Sequence, residues 1–116
     1  MRFEPGQVVL VDWRDALPKE PNKFRPAIVV EDVELFGASY PNGILVPLTD
    51  ENELVIEELA LMIEPTVENG CSKRSYALSH CVTTNSKQQV RPTTSRILPE
   101  QLAIIRRQIA LAIGLE

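Results

Sequence analysis

The chain has few of the residues that metal, redox and nucleotide sites require. Its 116 residues include one histidine and two cysteines. The cysteines, Cys71 and Cys81, do not have the spacing of a CxxC redox pair or of a zinc site. The sequence has no glycine-rich phosphate loop and no HExxH or GxSxG motif. It therefore predicts no bound metal and no other cofactor.

Long hydrophobic runs are also missing. No apolar stretch approaches the roughly 20 residues that a membrane-spanning helix needs. The first five residues, MRFEP, lack the apolar core of a signal peptide. These absences predict a cytoplasmic protein without a membrane partner, in which a disulfide is not expected. The length predicts a single domain over residues 1–116.

The net charge of −4 hides an uneven distribution. Residues 1–58 carry 12 acidic and 5 basic side chains, whereas residues 59–116 carry 4 acidic and 7 basic ones. The molecule as a whole is thus not a polybasic nucleic-acid binder. Two interpretations of the basic second half stay open, a local basic surface or scattered solvated charges.

The apolar pattern predicts five or six short strands and one helix. We expect strands at residues 6–12, 25–32, 44–49, 59–63 and 75–84, with loops at 13–24 and 91–95. Pro47 indicates a bulge or an edge position within its strand. A helix beginning at Pro99 has an apolar face formed by Leu102, Ile105, Ile109, Ala112 and Ile113. The prediction is a mainly β protein, a small twisted sheet or partly open barrel, with this C-terminal helix docked on it.

The most informative segment is RPAIVV at residues 25–30. Proline restricts the preceding residue to extended geometry, and its missing N–H suits the start of a strand. The four apolar residues that follow are typical of a buried strand. Arg25 is therefore predicted at a rigid junction between loop and core strand, a suitable place to bind an anion. A surface salt bridge to Glu20 or Glu31 is the alternative.

Four segments together resemble the PemK/MazF family of bacterial toxins. They are GQVVLVD at residues 6–12, RPAIVV at 25–30, VPLT at 46–49, and a final helix that ends in IGL at 113–115. Their order and spacing match over almost the whole chain. The resemblance implies an SH3-like, partly open β-barrel with a C-terminal helix, usually as a homodimer. It also implies a metal-independent endoribonuclease of a type II toxin-antitoxin system that cuts single-stranded RNA and is blocked by a cognate antitoxin.

The resemblance assigns chemistry to particular residues. Arg25 matches the catalytic arginine, and its guanidinium suits the charge that develops on a phosphoryl oxygen when a ribose 2′-hydroxyl attacks. Thr49 matches the strand-end threonine that bonds a phosphate oxygen, with a turn residue as the alternative. Glu20 lies where many members have a glutamate, although the surrounding glycines are missing here. His80 is a candidate general acid or base, or simply a half-buried strand residue.

Further residues are candidates for binding RNA. Trp13 could stack on a base or cap the core. The predicted RNA contacts are Trp13, Lys23, Lys73, Arg74 and Ser75. A non-catalytic RNA- or protein-binding module of the same fold is the alternative function, since the loop before Arg25 lacks the family's glycines and Thr83 stands where an arginine is expected. A gyrase poison of the CcdB type fits less well, because the chain has no tryptophan near its end.

Overall fold

The computed structural model describes residues 3–12 and 24–115, which form a mainly β structure with one α-helix. The strands are β1 (Gln7–Asp12), β2 (Phe24–Val29), β3 (Asn42–Thr49), β4 (Ala60–Ile63), β5 (Ser75–Leu78), β6 (Thr83–Ser86) and β7 (Val90–Arg96). The helix is α1 (Pro99–Ala112). No helix in these ranges is both long enough and apolar enough to span a membrane.

All strand pairs in the sheet are antiparallel. The order is β4-β5-β3-β2-β1-β7, and β6 pairs with the first half of β3. The three central strands, β1, β2 and β3, carry the buried residues of both faces, because alternate side chains point in opposite directions. Val8 and Ile28 face one cluster, and their neighbours Val9 and Ala27 face the other.

The helix prediction is confirmed, and α1 docks on the sheet as expected. Leu102 and Ile105 are buried in a cluster with Val8, Ile28 and Val46. The predicted apolar face ends at Ile109, however, because Ala112 is exposed and Ile113 is 64% exposed. Ile113 follows the last helical residue, and Gly114 then takes a positive φ of 85°, so the chain turns away from the sheet there.

The expected strand at residues 75–84 is wrong in one respect, since a turn divides it. β5 ends at Leu78, a single 3-10 turn follows at Ser79–Cys81, and β6 begins at Thr83. The buried Ser79 hydroxyl donates to the Gln108 side chain on α1, at 2.7 Å. This contact with the helix fixes the turn, and the β-branched composition of the segment gave no sign of it.

The prediction of a loop at residues 91–95 is also wrong, because these residues belong to β7. β7 is an edge strand that pairs only with β1 on the described sheet path, so Pro92 is tolerated there. Most of its side chains are exposed or half-buried, which removes the apolar alternation that would predict a strand.

Pro47 lies at neither an edge nor a bulge in the described register. On one side it pairs with Ala27 of β2. On the other side β6 pairs as far as Leu45, and β5 begins at Leu48. Pro47 therefore falls in the gap between two partner strands, where its missing N–H breaks no ladder.

Candidate active site

A cavity of about 710 Å³ lies at one end of the central strands. It is bounded by the start of β2, the end of β3, the start of β5, part of β7 and the connection at residues 69–73. It takes in consecutive residues of two strands, Arg25 and Pro26 on β2 and Leu48 and Thr49 on β3. Four residues predicted from the sequence meet here, namely Arg25, Thr49, Lys73 and Ser75.

Strand pairing brings the Arg25 and Thr49 positions together. The pairing of β2 with β3 ends at Ala27 and Pro47, and Arg25 and Thr49 each lie two residues beyond that pair. Side chains two residues apart on a strand point to the same face, so Arg25 and Thr49 share a face of the sheet. Both are half-buried, and both residues line the cavity.

The local hydrogen bonding of Thr49 leaves it able to donate. Its Oγ1 accepts the backbone N–H of Glu51 at 3.1 Å, the bond of a turn after the strand. A hydroxyl has one donor and two acceptor positions, so this bond leaves the O–H able to reach a phosphate oxygen. The turn role and the phosphate-binding role, which were alternatives from the sequence, are compatible in the structure.

Two further polar residues stand on the β5 side of the cavity. Lys73 lies 3.6 Å from the Asp50 carboxylate in an exposed pair, with side chains 74% and 50% exposed. The Ser75 hydroxyl donates to the carbonyl oxygen of Lys73 at 3.1 Å. An exposed pair of this kind contributes about 0–1 kcal/mol, so Lys73 can exchange Asp50 for a phosphate at little cost.

Arg74 is not brought into this group. Its guanidinium contacts the Glu64 carboxylate in an exposed ion pair. It lines a separate, shallower depression of about 410 Å³ with Tyr76 and the acidic residues that follow β3. Lys73 and Arg74 both precede β5, and they line different depressions.

His80 also lies away from the cavity lining. It is in the 3-10 turn after β5, which packs against α1. Within the described ranges its Nδ1 atom is buried without a hydrogen-bond partner. His80 was expected on a strand, and it lies instead in this turn as a half-buried residue. Its role as a general acid or base stays a prediction.

Three predicted site residues, Trp13, Glu20 and Lys23, lie outside the described residues. Their assigned roles remain predictions from the sequence.

The structure adds Phe24 to the cavity lining, a residue that the sequence reasoning treated as the end of a loop. Its ring lies under the guanidinium of Arg91, with the Arg91 Cζ atom 4.1 Å from the ring centroid. Because residues 91–95 were expected to be a loop, no sequence signal connected the two.

A tightly bonded turn shapes the floor of the cavity. The buried Asn69 side chain accepts the backbone N–H groups of Thr66 and Cys71 and donates to the carbonyl of Glu64. Gly70 follows with a positive φ of 68°, and a side chain there would meet Ser95. An Asn-Gly pair is typical of a turn, and a turn lies here.

Cys71 lies in the same lining as a free thiol. Burial raises the pKa of this thiol, and a hydrogen bond with Ser75 opposes the rise only in part. Burial likewise raises the pKa of Cys81. Since the thiolate is the nucleophilic form, Cys71 lacks the activated state of a catalytic cysteine at neutral pH.

Comparison with known proteins agrees with the arrangement of these elements. The sequence pattern of the PemK-like, MazF-like toxins of type II toxin-antitoxin systems matches residues 4–113. No curated protein matches the sequence.

Several solved structures share the fold at low sequence identity. An endoribonuclease in complex with its cognate antitoxin from a mycobacterial species is 17% identical, with a TM-score of 0.73 over 97% of this chain and 95% of that one. MazF of Deinococcus radiodurans is 16% identical, with a TM-score of 0.73 over 98% of each chain. The Mycobacterium tuberculosis toxin MazF-mt6 is 14% identical, with a TM-score of 0.71 over 95% of this chain and 98% of that one. Through the match over residues 4–113, the chain belongs to the family of PemK-like, MazF-like toxins of type II toxin-antitoxin systems.

Proposed function

We propose that this toxin is an endoribonuclease that cleaves single-stranded RNA at the cavity, without a metal ion. The observation that supports the proposal is that Arg25 and Thr49, just beyond the paired part of β2 and β3, line one cavity. Family membership supports it. A protein of the same fold is an endoribonuclease found in complex with its antitoxin.

In the proposed reaction the ribose 2′-oxygen attacks the adjacent phosphorus and the bond from phosphorus to the 5′-oxygen breaks. The products are a 2′,3′-cyclic phosphate and a 5′-hydroxyl, so the proton lost by the 2′-hydroxyl is balanced by one gained at the leaving oxygen. Arg25 stabilises the charge that builds on the phosphoryl oxygens, and the Thr49 hydroxyl donates to one of them. The preorganised charged donor, Arg25, is expected to contribute about 2.7–4 kcal/mol to transition-state stabilisation.

The remaining roles follow from their positions. Lys73 and Ser75 bind flanking phosphates from the β5 side of the cavity. Glu20, five residues before Arg25, is the proposed proton acceptor. His80 has no part in this mechanism, because it lies away from the cavity lining.

The wider assignment follows from the same family. We propose one domain over residues 1–116, folded as an SH3-like, partly open barrel. It acts in the cytoplasm as a homodimer, and a cognate antitoxin inhibits it by blocking the RNA site.

The test is cleavage of a mixed-sequence single-stranded RNA by the purified protein in excess chelator. New 5′-hydroxyl and 2′,3′-cyclic phosphate ends are expected, and 2′-deoxy substitution at the cut nucleotide abolishes the cut. If RNA is bound but never cut, the non-catalytic binding module replaces this proposal. If chelator abolishes the cleavage, the metal-free mechanism is wrong.

A further inference from the structure

Phe24 occupies a position that the proposed mechanism does not use. It is the first residue of β2, it directly precedes Arg25, and its half-buried side chain lines the cavity. Neighbouring strand residues point to opposite faces, so the ring and the guanidinium leave β2 on different sides. Both residues nevertheless line the same cavity of about 710 Å³. A ligand that fills this cavity and meets Arg25 with its phosphate therefore has other groups within reach of Phe24.

The contact between Phe24 and Arg91 follows from the sheet register. Leu10 of β1 pairs with Pro26 on one side and with Arg91 on the other, so these residues share a face of the sheet. Phe24 lies two residues before Pro26 and points to the same face. The Arg91 guanidinium reaches diagonally across β1 and covers the Phe24 ring at 4.1 Å.

This cation–π contact restrains the ring. A guanidinium within about 6 Å of a ring centroid is attracted to the face of the ring. Arg91 therefore covers one side of Phe24, while the ring still contributes surface to the cavity. A rigid aromatic surface beside a phosphate-binding group suits a flat, uncharged ring system attached to a phosphate, which is the chemistry of a nucleotide.

We propose that Phe24, held by Arg91, is a stacking platform for one base of the RNA bound at Arg25 and Thr49. This inference rests on the proposed function. Every base has a π-face, so stacking of this kind is tolerant of sequence and selects for the presence of a base rather than for its identity. Phe24 is thus a substrate-binding residue, and Arg91 is a positioning residue that acts through the ring.

The test measures binding of a short single-stranded RNA made non-cleavable by 2′-O-methyl groups. A series of oligonucleotides carries an abasic site at each position in turn. For the wild-type protein, one abasic position is expected to weaken binding by about 5- to 150-fold, the range known for stacking of a base on an aromatic side chain. Phe24→Ala is expected to lose the same factor with the intact oligonucleotide, and the abasic site at that position then costs nothing further.

Matched variants distinguish the contribution of the aromatic ring to RNA binding from that of apolar volume. Phe24→Leu keeps apolar volume but has no ring, so its binding falls as in Phe24→Ala, whereas Phe24→Tyr retains most of the affinity. Phe36→Ala is the control, because Phe36 packs edge-on against Tyr40 outside the cavity lining and is expected to bind as the wild type. With cleavable RNA, Phe24→Ala raises KM and keeps kcat within a few-fold, since Arg25 and Thr49 are intact.

The platform is overturned if Phe24→Ala and Phe24→Leu bind as tightly as the wild type. It is also overturned if every abasic site costs the same in the variant as in the wild type. Cleavage that continues with unchanged KM in Phe24→Ala removes the platform and leaves the proposed function standing. Failure of the wild type to bind or cut any RNA removes both.

Discussion

The two ends of the sheet use polar side chains in different ways. At the end covered by α1, they bond to the chain itself. Arg106 donates to the carbonyl oxygens of Val30 and Glu31, at 3.1 and 2.7 Å, and Gln108 donates to that of Ala60. At the cavity end, Arg25, Thr49 and Lys73 line an open space of about 710 Å³. The helix end holds the fold together, and the cavity end presents polar groups to a ligand.

The comparison separates two kinds of arginine. Arg106 satisfies carbonyl oxygens at the end of β2, where its loss would leave acceptors unpaired. Arg25 stands on a proline-supported strand start and lines the cavity with Thr49. Changes at the helix end should therefore alter the free energy of unfolding, and changes at the cavity end should alter cleavage.

The largest expected effect on stability is at the helix end. Ile105 is fully buried between α1 and the sheet, so Ile105→Ala should lower the free energy of unfolding by about 2–5 kcal/mol. Urea denaturation measures it, and the neighbouring Ile104→Ala, at a 38% exposed position, is the control with a smaller loss. Cleavage by the folded fraction should stay at the wild-type rate. An equal loss of unfolding free energy in both variants would show that Ile105 does not lie on the helix face that packs against the sheet.

Gly70 lines the cavity, yet its replacement should lower the free energy of unfolding, unlike the replacement of the polar cavity residues. Because Gly70 has a φ of 68°, Gly70→Ala should lower the free energy of unfolding by about 1–3 kcal/mol through backbone strain. The clash of the new methyl group with the Ser95 side chain should lower it further. Gly114→Ala is the matched control, since it has a φ of 85° and open space around it. Thermal unfolding should show a larger loss at residue 70, partly recovered in the double variant Gly70→Ala/Ser95→Ala. Equal losses of stability in Gly70→Ala and Gly114→Ala would show that the contact with Ser95 contributes nothing.

Thr49 should affect cleavage alone. Thr49→Val removes one hydroxyl donor to the phosphate, worth about 1.4 kcal/mol, and kcat should fall about tenfold with little change in melting temperature. Thr49→Ser keeps the hydroxyl and should keep most of the activity. A wild-type kcat for Thr49→Val would contradict the phosphate-binding role. The Thr49 hydroxyl would then serve only to accept the backbone N–H of Glu51 in the turn.

The smallest effect is expected at Lys73. Its ion pair with Asp50 is exposed, so Lys73→Ala should change the unfolding free energy by less than about 1 kcal/mol. The logarithmic salt dependence of RNA binding should fall by about 0.7 for the lost phosphate contact. Arg74→Ala is the control, because Arg74 is paired with Glu64 outside the cavity, and its salt dependence should match that of the wild type.

Local patterns predicted the elements that fix the fold. The run after Pro26 and the spacing of Leu102 and Ile105 indicate a strand and a docked helix, and both are confirmed. Two of the errors have a cause that local patterns do not show. The turn at Ser79 depends on Gln108 of α1, and β7 is an edge strand whose side chains are too exposed to show alternation.

The candidate site was predictable where the family resemblance identified its residues. Arg25 and Thr49 were identified in this way, and both line the cavity. His80 is half-buried, as one of its two interpretations had it, but it lies in a turn because the expected strand is interrupted. Phe24 was overlooked because its partner Arg91 lies 67 residues away in a segment expected to be a loop.

The most direct test compares Arg25→Ala with Arg106→Ala in cleavage and in unfolding. The account predicts that Arg25→Ala lowers kcat by about 10²–10³ with a nearly unchanged melting temperature, because a transition-state donor is lost. Arg106→Ala should do the reverse, losing about 1–3 kcal/mol of stability while its folded fraction cleaves at the wild-type rate. Wild-type cleavage by a folded Arg25→Ala protein would contradict the central claim that this arginine carries the chemistry.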